Sequence, residues 1–297
     1  MREDISFESK GLECRGWLYF PDEIEAGAKL PTIVMAHGFS AVKEQILPDF
    51  AEQFVNAGFA TLVFDYRFFG DSKGEPRCQI FPLEMVEDYR NAISWVSEHP
   101  SVDQYRIGIW GTSYSGGLVT YVGAIDKRAK AVVAQVPSIT GPESRRNMEL
   151  EKWDNVGDFL LQDRIARYST GKVNYMKVVA PEGEPCILPG QENYDAFMEM
   201  VDIAPNWRNE ITVESLEKIR EFDPVSSIHL IAPRALLVIA AEEDNLIPLE
   251  TVKSSFEKAG EPKKLIVQPI LHFEIYADPW QSKAASAAID WFNKYLN

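Results

Sequence analysis

Apolar and polar residues alternate through residues 4–8 and again through 12–20, with Lys10-Gly11 between the two runs. Period-two alternation on both sides of a glycine turn predicts an antiparallel hairpin, and Pro21-Asp22 ends it. After that the pattern changes to short, unbroken apolar runs rich in β-branched residues, at 32–36, 60–64, 106–110, 131–136, 235–240 and 264–269. Segments with apolar residues at helical spacing separate or follow them, at 47–57, 83–97, 115–125, 249–258 and 282–295. A strand with no polar face has to be covered on both sides. Strand alternating with helix therefore predicts the α/β class, a mostly parallel twisted sheet flanked by helices.

The rhythm fails across residues 138–223, which hold helix-like pieces, a Pro/Gly-rich stretch at 181–185 and one strand-like stretch at 173–179. Trp153, Phe159, Tyr168, Tyr175, Phe197 and Met198 crowd this region, too many large apolar side chains for a solvated loop. The expectation is a helical cap (138–223) inserted into a core made of residues 1–137 and 224–297. Open α/β sheets bind ligands at the carboxyl ends of their strands, so the cap should hang over that edge, and these six residues are the candidate substrate contacts.

The sharpest local signal is Gly111-Thr112-Ser113-Tyr114-Ser115-Gly116-Gly117, a glycine-rich turn between a buried strand and a helix. Gly-x-Ser-x-small in that context reads as a nucleophile elbow, with Ser115 where glycine is usual. Neither G-x-G-x-x-G nor a P-loop lysine is present, which excludes nucleotide phosphates as the ligand of this turn. A serine nucleophile needs an acid and then a histidine downstream, each in a loop after a strand. Of the four histidines, only His272 meets that requirement. His37 lies upstream and reads as structural. Glu242, Glu243 and Asp244 compete for the acid, and Asp244, last in the loop, is the choice. Asp65 and Asp71 read as scaffold carboxylates. Gly38 lets the chain turn so that the Phe39 N–H, with the Tyr114 N–H at the helix start, can serve an oxyanion.

Together, His37-Gly38-Phe39-Ser40, the segment 64–74, the elbow, Asp244 and His272-Phe273-Glu274 resemble the α/β-hydrolase superfamily. The resemblance spans about residues 4–296 and is nearest to the dienelactone-hydrolase-like and polyketide-transferase-like branch. It implies a serine esterase or thioesterase forming an acyl-enzyme on Ser113, with acyl transfer as the alternative and no cofactor or metal. Ser113-Tyr114 also resembles the elbow of X-Pro dipeptidyl peptidases and cocaine-esterase-like enzymes. Phe39 stands where those enzymes carry an oxyanion-binding tyrosine, which counts against amide cleavage. A non-catalytic ligand-binding member of the fold is the rival outside enzymes.

Composition narrows the partners. Thirty Lys+Arg against 45 Asp+Glu give a net charge of −15, which repels nucleic acid and anionic membranes. Neither a secretory signal pattern nor a spanning apolar run is evident. Three scattered cysteines, Cys14, Cys78 and Cys186, make no C-x-x-C pair. These features predict a cytoplasmic enzyme with no zinc site, acting on a small hydrophobic acyl or aromatic substrate. A homo-oligomer is left open.

Overall fold

The computed structural model describes residues 1–25, 27–148 and 150–296. Strands β1 (Arg2–Ser9) and β2 (Leu12–Tyr19) form the antiparallel hairpin, and β2 runs antiparallel to β4 (Ala60–Phe64). The remaining ladders of the main sheet are parallel, formed by β3 (Leu30–Ala36), β4, β5 (Val102–Thr112), β6 (Ala129–Gln135), β9 (Ala235–Ala241) and β10 (Lys263–Gln268). The spatial order is β1-β2-β4-β3-β5-β6-β9-β10, which puts β5 near the middle.

Side chains of the central strands divide between two cores, as a sheet covered on both faces requires. On one face Val34, Ile107 and Ile109 pack with Met85, Tyr89 and Ile93 of α2 (Pro82–Ser97) and Leu118, Val119 and Val122 of α3 (Tyr114–Ile125). On the other, Ile33, Met35 and Trp110 meet Phe50 and Phe54 of α1 (Leu47–Asn56) and Phe292 of α9 (Trp280–Leu296). Gly108 permits that second contact, because a Cβ there would lie 2.6 Å from the Phe292 ring.

Between β6 and β9 the chain leaves the sheet through α4 (Pro142–Met148), α5 (Trp153–Thr170), β7 (Tyr175–Met176), α6 (Gln191–Met198), β8 (Ile211–Thr212) and α7 (Val213–Glu221). The strand-like stretch at 173–179 forms only the two residues of β7, paired antiparallel with β8. Val178 and Val179 are buried instead, their N–H groups held by the Asn209 side chain. After β9, α8 (Leu249–Glu257) returns the chain to β10. No helix among the described residues is long and apolar enough to cross a membrane.

The hairpin is tied to α2 by a buried polar knot. Asp88 of α2 accepts from the Ser9 hydroxyl (2.5 Å), from Arg67 Nε (2.6 Å) and from the Arg67 N–H (3.1 Å). Burial pushes the Asp88 carboxyl up to about 6 even with the guanidinium beside it. Arg67→Ala strands this carboxylate and should destabilise the fold by about 3–5 kcal/mol at pH 7. Removing the cation raises the folded-state pKa further above the unfolded value, so the folded variant takes up its proton first. The deficit in urea unfolding should therefore shrink as pH falls from 7 toward 4.

Candidate active site

Four loops at the carboxyl ends of β3, β5, β9 and β10 converge. Ser113 follows β5 directly, with φ 54° and ψ −120°, a backbone conformation unfavourable for a residue with a side chain. Hydrogen bonds to the next strand hold it there. Its N–H donates to Gln135 O (2.9 Å), and its carbonyl accepts from Ser138 N–H (2.9 Å). The turn is also sterically closed. A Cβ on Gly111 would collide with the Ser115 backbone, one on Gly116 would meet Pro137 at 2.7 Å, and one on Gly117 would collide with Ser138 O.

Ser115 fits the small position of the elbow because its hydroxyl has partners. It accepts from Tyr66 Oη at 3.2 Å and bonds Tyr89 Oη at 3.1 Å, while Tyr89 also donates to Trp110 O and accepts from Ala36 N–H. These bonds pin the start of α3 to the ends of β3 and β5.

His272 Nε2 lies 3.1 Å from Ser113 Oγ, and His272 Nδ1 lies 2.7 Å from Asp244 Oδ2. The side chains of His272 and Asp244 are both buried. The other carboxylate oxygen, Asp244 Oδ1, accepts the N–H groups of Leu246 (2.9 Å) and Ile247 (2.7 Å). With Nδ1 protonated toward Asp244, Nε2 is left to accept the serine proton. Glu242 and Glu243 are exposed, and their backbone N–H groups are spent on Gln268 O and Ile270 O.

Gly38 lies against the serine, since a Cβ there would be 3.4 Å from Ser113 Cβ. Among the described residues, neither the Phe39 nor the Tyr114 N–H has a protein acceptor, and the two rings pack edge to face at 5.8 Å. His37 is buried, with Nδ1 3.0 Å from Gly38 O, and burial pushes its pKa down to about 4, so it is neutral at pH 7. Glu44, Asp65 and Asp71 come close enough together to share a cation, but the Lys43 ammonium fills that place. It contacts Glu44 (2.6 Å), Asp65 (3.0 Å) and Asp71 (2.5 Å). Burial opposes its charge, yet these carboxylates hold its pKa above the usual lysine range.

Two cavities meet at Ser113. One, about 40 Å³, is bounded by Phe39, Phe197, Met200, His272 and Phe273. The other, about 280 Å³, runs under the insertion past Tyr114, Val156, Ile187, Leu188, Leu216 and Ile219.

The family model for X-Pro dipeptidyl-peptidase (S15 family) matches residues 17–274. The chain belongs to that family. This S15-family chain is 30% identical over 295 residues to the quorum-quenching protein AidA of Acinetobacter baumannii, covering 99% of this chain and 95% of AidA. It is 30% identical over 270 residues to the polyketide transferase ATR5 of Stachybotrys chlorohalonatus, covering 90% and 88% of the two chains. The solved structure of DcsB in complex with its substrate analogue superposes with a TM-score of 0.88 at 28% identity, over 100% of this chain and 99% of DcsB. These likenesses place the S15-family chain in the polyketide-transferase-like branch of the α/β-hydrolases, among enzymes of hydrolysis and acyl transfer.

Of the six expected substrate contacts, only Phe197 reaches a cavity that contains Ser113. The other five lie outside those two cavities. Trp153 carries the Arg220 guanidinium 3.5 Å over its ring, and Met198 packs against the core. Tyr175 is largely exposed in the β7–β8 ribbon, and Phe159 and Tyr168 face solvent, Tyr168 at 94% exposure. The reason lies in α5, whose inner face is Leu160, Asp163 and Arg167. Arg167 is ion-paired to Asp163 and to Glu214 and Glu217 of α7, and with that face docked Phe159 and Tyr168 point outward. The residues sequence reasoning missed are smaller aliphatics, the adjacent Ile187 and Leu188 and, one turn apart on α7, Leu216 and Ile219, two pairs that no local signal links.

Ser115→Ala leaves the buried Tyr66 hydroxyl without its partner and should cost about 1–3 kcal/mol in urea unfolding. Ser115→Gly at the same place should cost at least as much, although glycine is the commoner elbow residue.

Proposed function

We infer that the protein is a serine acyl hydrolase that cleaves an ester or thioester of a hydrophobic or aromatic acid. Ser113 attacks the carbonyl, His272 accepts the serine proton, and Asp244 holds the imidazole. The N–H groups of Phe39 and Tyr114 take the developing oxyanion, and water releases the acyl group. The observation that carries this reading is the continuous path from Asp244 Oδ2 through His272 to Ser113 Oγ, at 2.7 and 3.1 Å. Residues 138–223 serve as the cap, and the larger cavity beneath them takes the acyl chain, because its walls are mostly apolar, with Arg145 and Arg220 among them, and it opens at Ser113. Likeness to a polyketide transferase supports a second reading, in which an alcohol or amine replaces water as the acyl acceptor.

Fluorophosphonate labelling and a panel of p-nitrophenyl esters and thioesters of graded chain length test the assignment. Ser113→Ala should abolish labelling and lower kcat by roughly 10⁶-fold with unchanged melting. Residual turnover above a tenth of wild type would remove Ser113 from the mechanism. Asp244→Asn should be far more damaging than Glu243→Gln.

Chain-length preference tests the acyl cavity. Ile219→Ala and Leu216→Ala should move it by about 1–3 kcal/mol, whereas Tyr168→Ala, on the outer face of the cap, should leave it unchanged.

A further inference from the structure

The segment 204–209 of the insertion presses on the loop that carries Phe39. Trp207 Nε1–H donates to Ser40 O at 2.9 Å. The peptide unit that accepts this bond also contains the Ala41 N–H, which donates to Gly38 O at 3.4 Å. Gly38 O, which His37 Nδ1 also approaches at 3.0 Å, belongs to the same peptide unit as the Phe39 N–H. The path therefore runs from an indole through two peptide planes to the amide beside Ser113. A second tie runs in parallel, with Asn206 donating to Asp71, and Asp71 paired with Lys43, whose own N–H donates to Asp65 Oδ1 at 2.8 Å. The loop needs such restraint, for both Ser40 (φ 54°) and Ile46 (φ 67°) hold positive φ without being glycine.

We propose that Trp207 is a positioning residue, by which the insertion aims the Phe39 N–H at the oxyanion. This rests on the reading of Ser113 as nucleophile and of the Phe39 N–H as an oxyanion donor. Each bond in the chain orients the next peptide plane and polarises it in the same sense, which strengthens the terminal donor. The indole is also stacked on Phe197, with ring centroids 5.5 Å apart and planes at 26°. Phe197 borders the cavity at Ser113. A bound group that touches Phe197 therefore steadies Trp207, and binding on the insertion side is converted into alignment at the reacting carbonyl. Energy used in this way raises kcat and leaves KM nearly unchanged.

Trp207→Phe keeps an aromatic ring against Phe197 and removes the donor together with part of the indole's area. With an ester that the wild-type enzyme turns over, kcat should fall ~10-fold, because a displaced oxyanion donor costs rate at the transition state. KM should stay within about twofold. Affinity for a boronic acid, which forms a tetrahedral adduct on Ser113, should fall by the same factor as kcat, while affinity for the carboxylic acid product should not change. A purely structural role would lower melting temperature or shift KM and product affinity together. Should the phenylalanine variant fold poorly, β-(3-benzothienyl)alanine at position 207 preserves the shape of tryptophan without the N–H and should give the same selective loss. Full kcat and full boronate affinity in either folded variant overturn the proposal. Failure of the wild-type protein to label with a fluorophosphonate overturns the reading of Ser113 instead, so the two failures are distinguishable.

Discussion

Strand β5 has to become helix α3 within one residue, and Ser113 absorbs the whole change of direction. The strain this stores, of order 1–3 kcal/mol, persists only because the surroundings over-determine it. Both backbone groups of Ser113 are bonded to the β6 side, and Gly111, Gly116 and Gly117 have no room for a side chain. The hydroxyl is thereby held at the rim of the sheet, where the loops after β9 and β10 can reach it. A looser turn would let Ser113 Oγ retreat from His272, and the geometry at the other loops would lose its point of convergence.

At this edge the imidazole of His272 has one carboxylate partner, Asp244. His37 lies near the serine but remains neutral through burial, and its Nδ1 is occupied by Gly38 O. The carboxylates of Asp65 and Asp71 are also close to the Phe39 loop, yet the Lys43 ammonium is bonded to both. Lys43 thus offsets part of the carboxylate charge beside the Phe39 loop, where uncompensated carboxylates would oppose a developing oxyanion.

The parallel sheet was legible because its strands are apolar without alternation, a signal that needs no long-range information. The serine and histidine were legible because the elbow constrains its neighbours and histidine is scarce. Asp244 stood out from Glu242 and Glu243 only by its place in the loop, and contact with His272 distinguishes them in space. The insertion was read least well. Its large aromatic residues suggested a substrate wall, but α5 docks the face that carries the ion pairs of Arg167, and Phe159 and Tyr168 point outward. Trp207 bonds a carbonyl 167 positions away in the chain, and no local pattern announces such a contact.

The unequal size of the two cavities bears on which acceptor receives the acyl group. In the proposed mechanism the acceptor is activated by His272, and His272 borders the small cavity but not the large one. The small cavity, at about 40 Å³, is much narrower than the large one, at about 280 Å³. On the proposed reading of Ser113 as nucleophile, that narrowness suits a small acceptor such as water. Transfer to a larger alcohol or amine would require Phe197, Met200 or Phe273 to move, and Phe197 is stacked on Trp207. Any widening of the acceptor side would then loosen the indole's bond to Ser40 and disturb the Phe39 donor. The contact that would align the oxyanion site thus also limits the size of the acceptor, which couples rate to the choice of water.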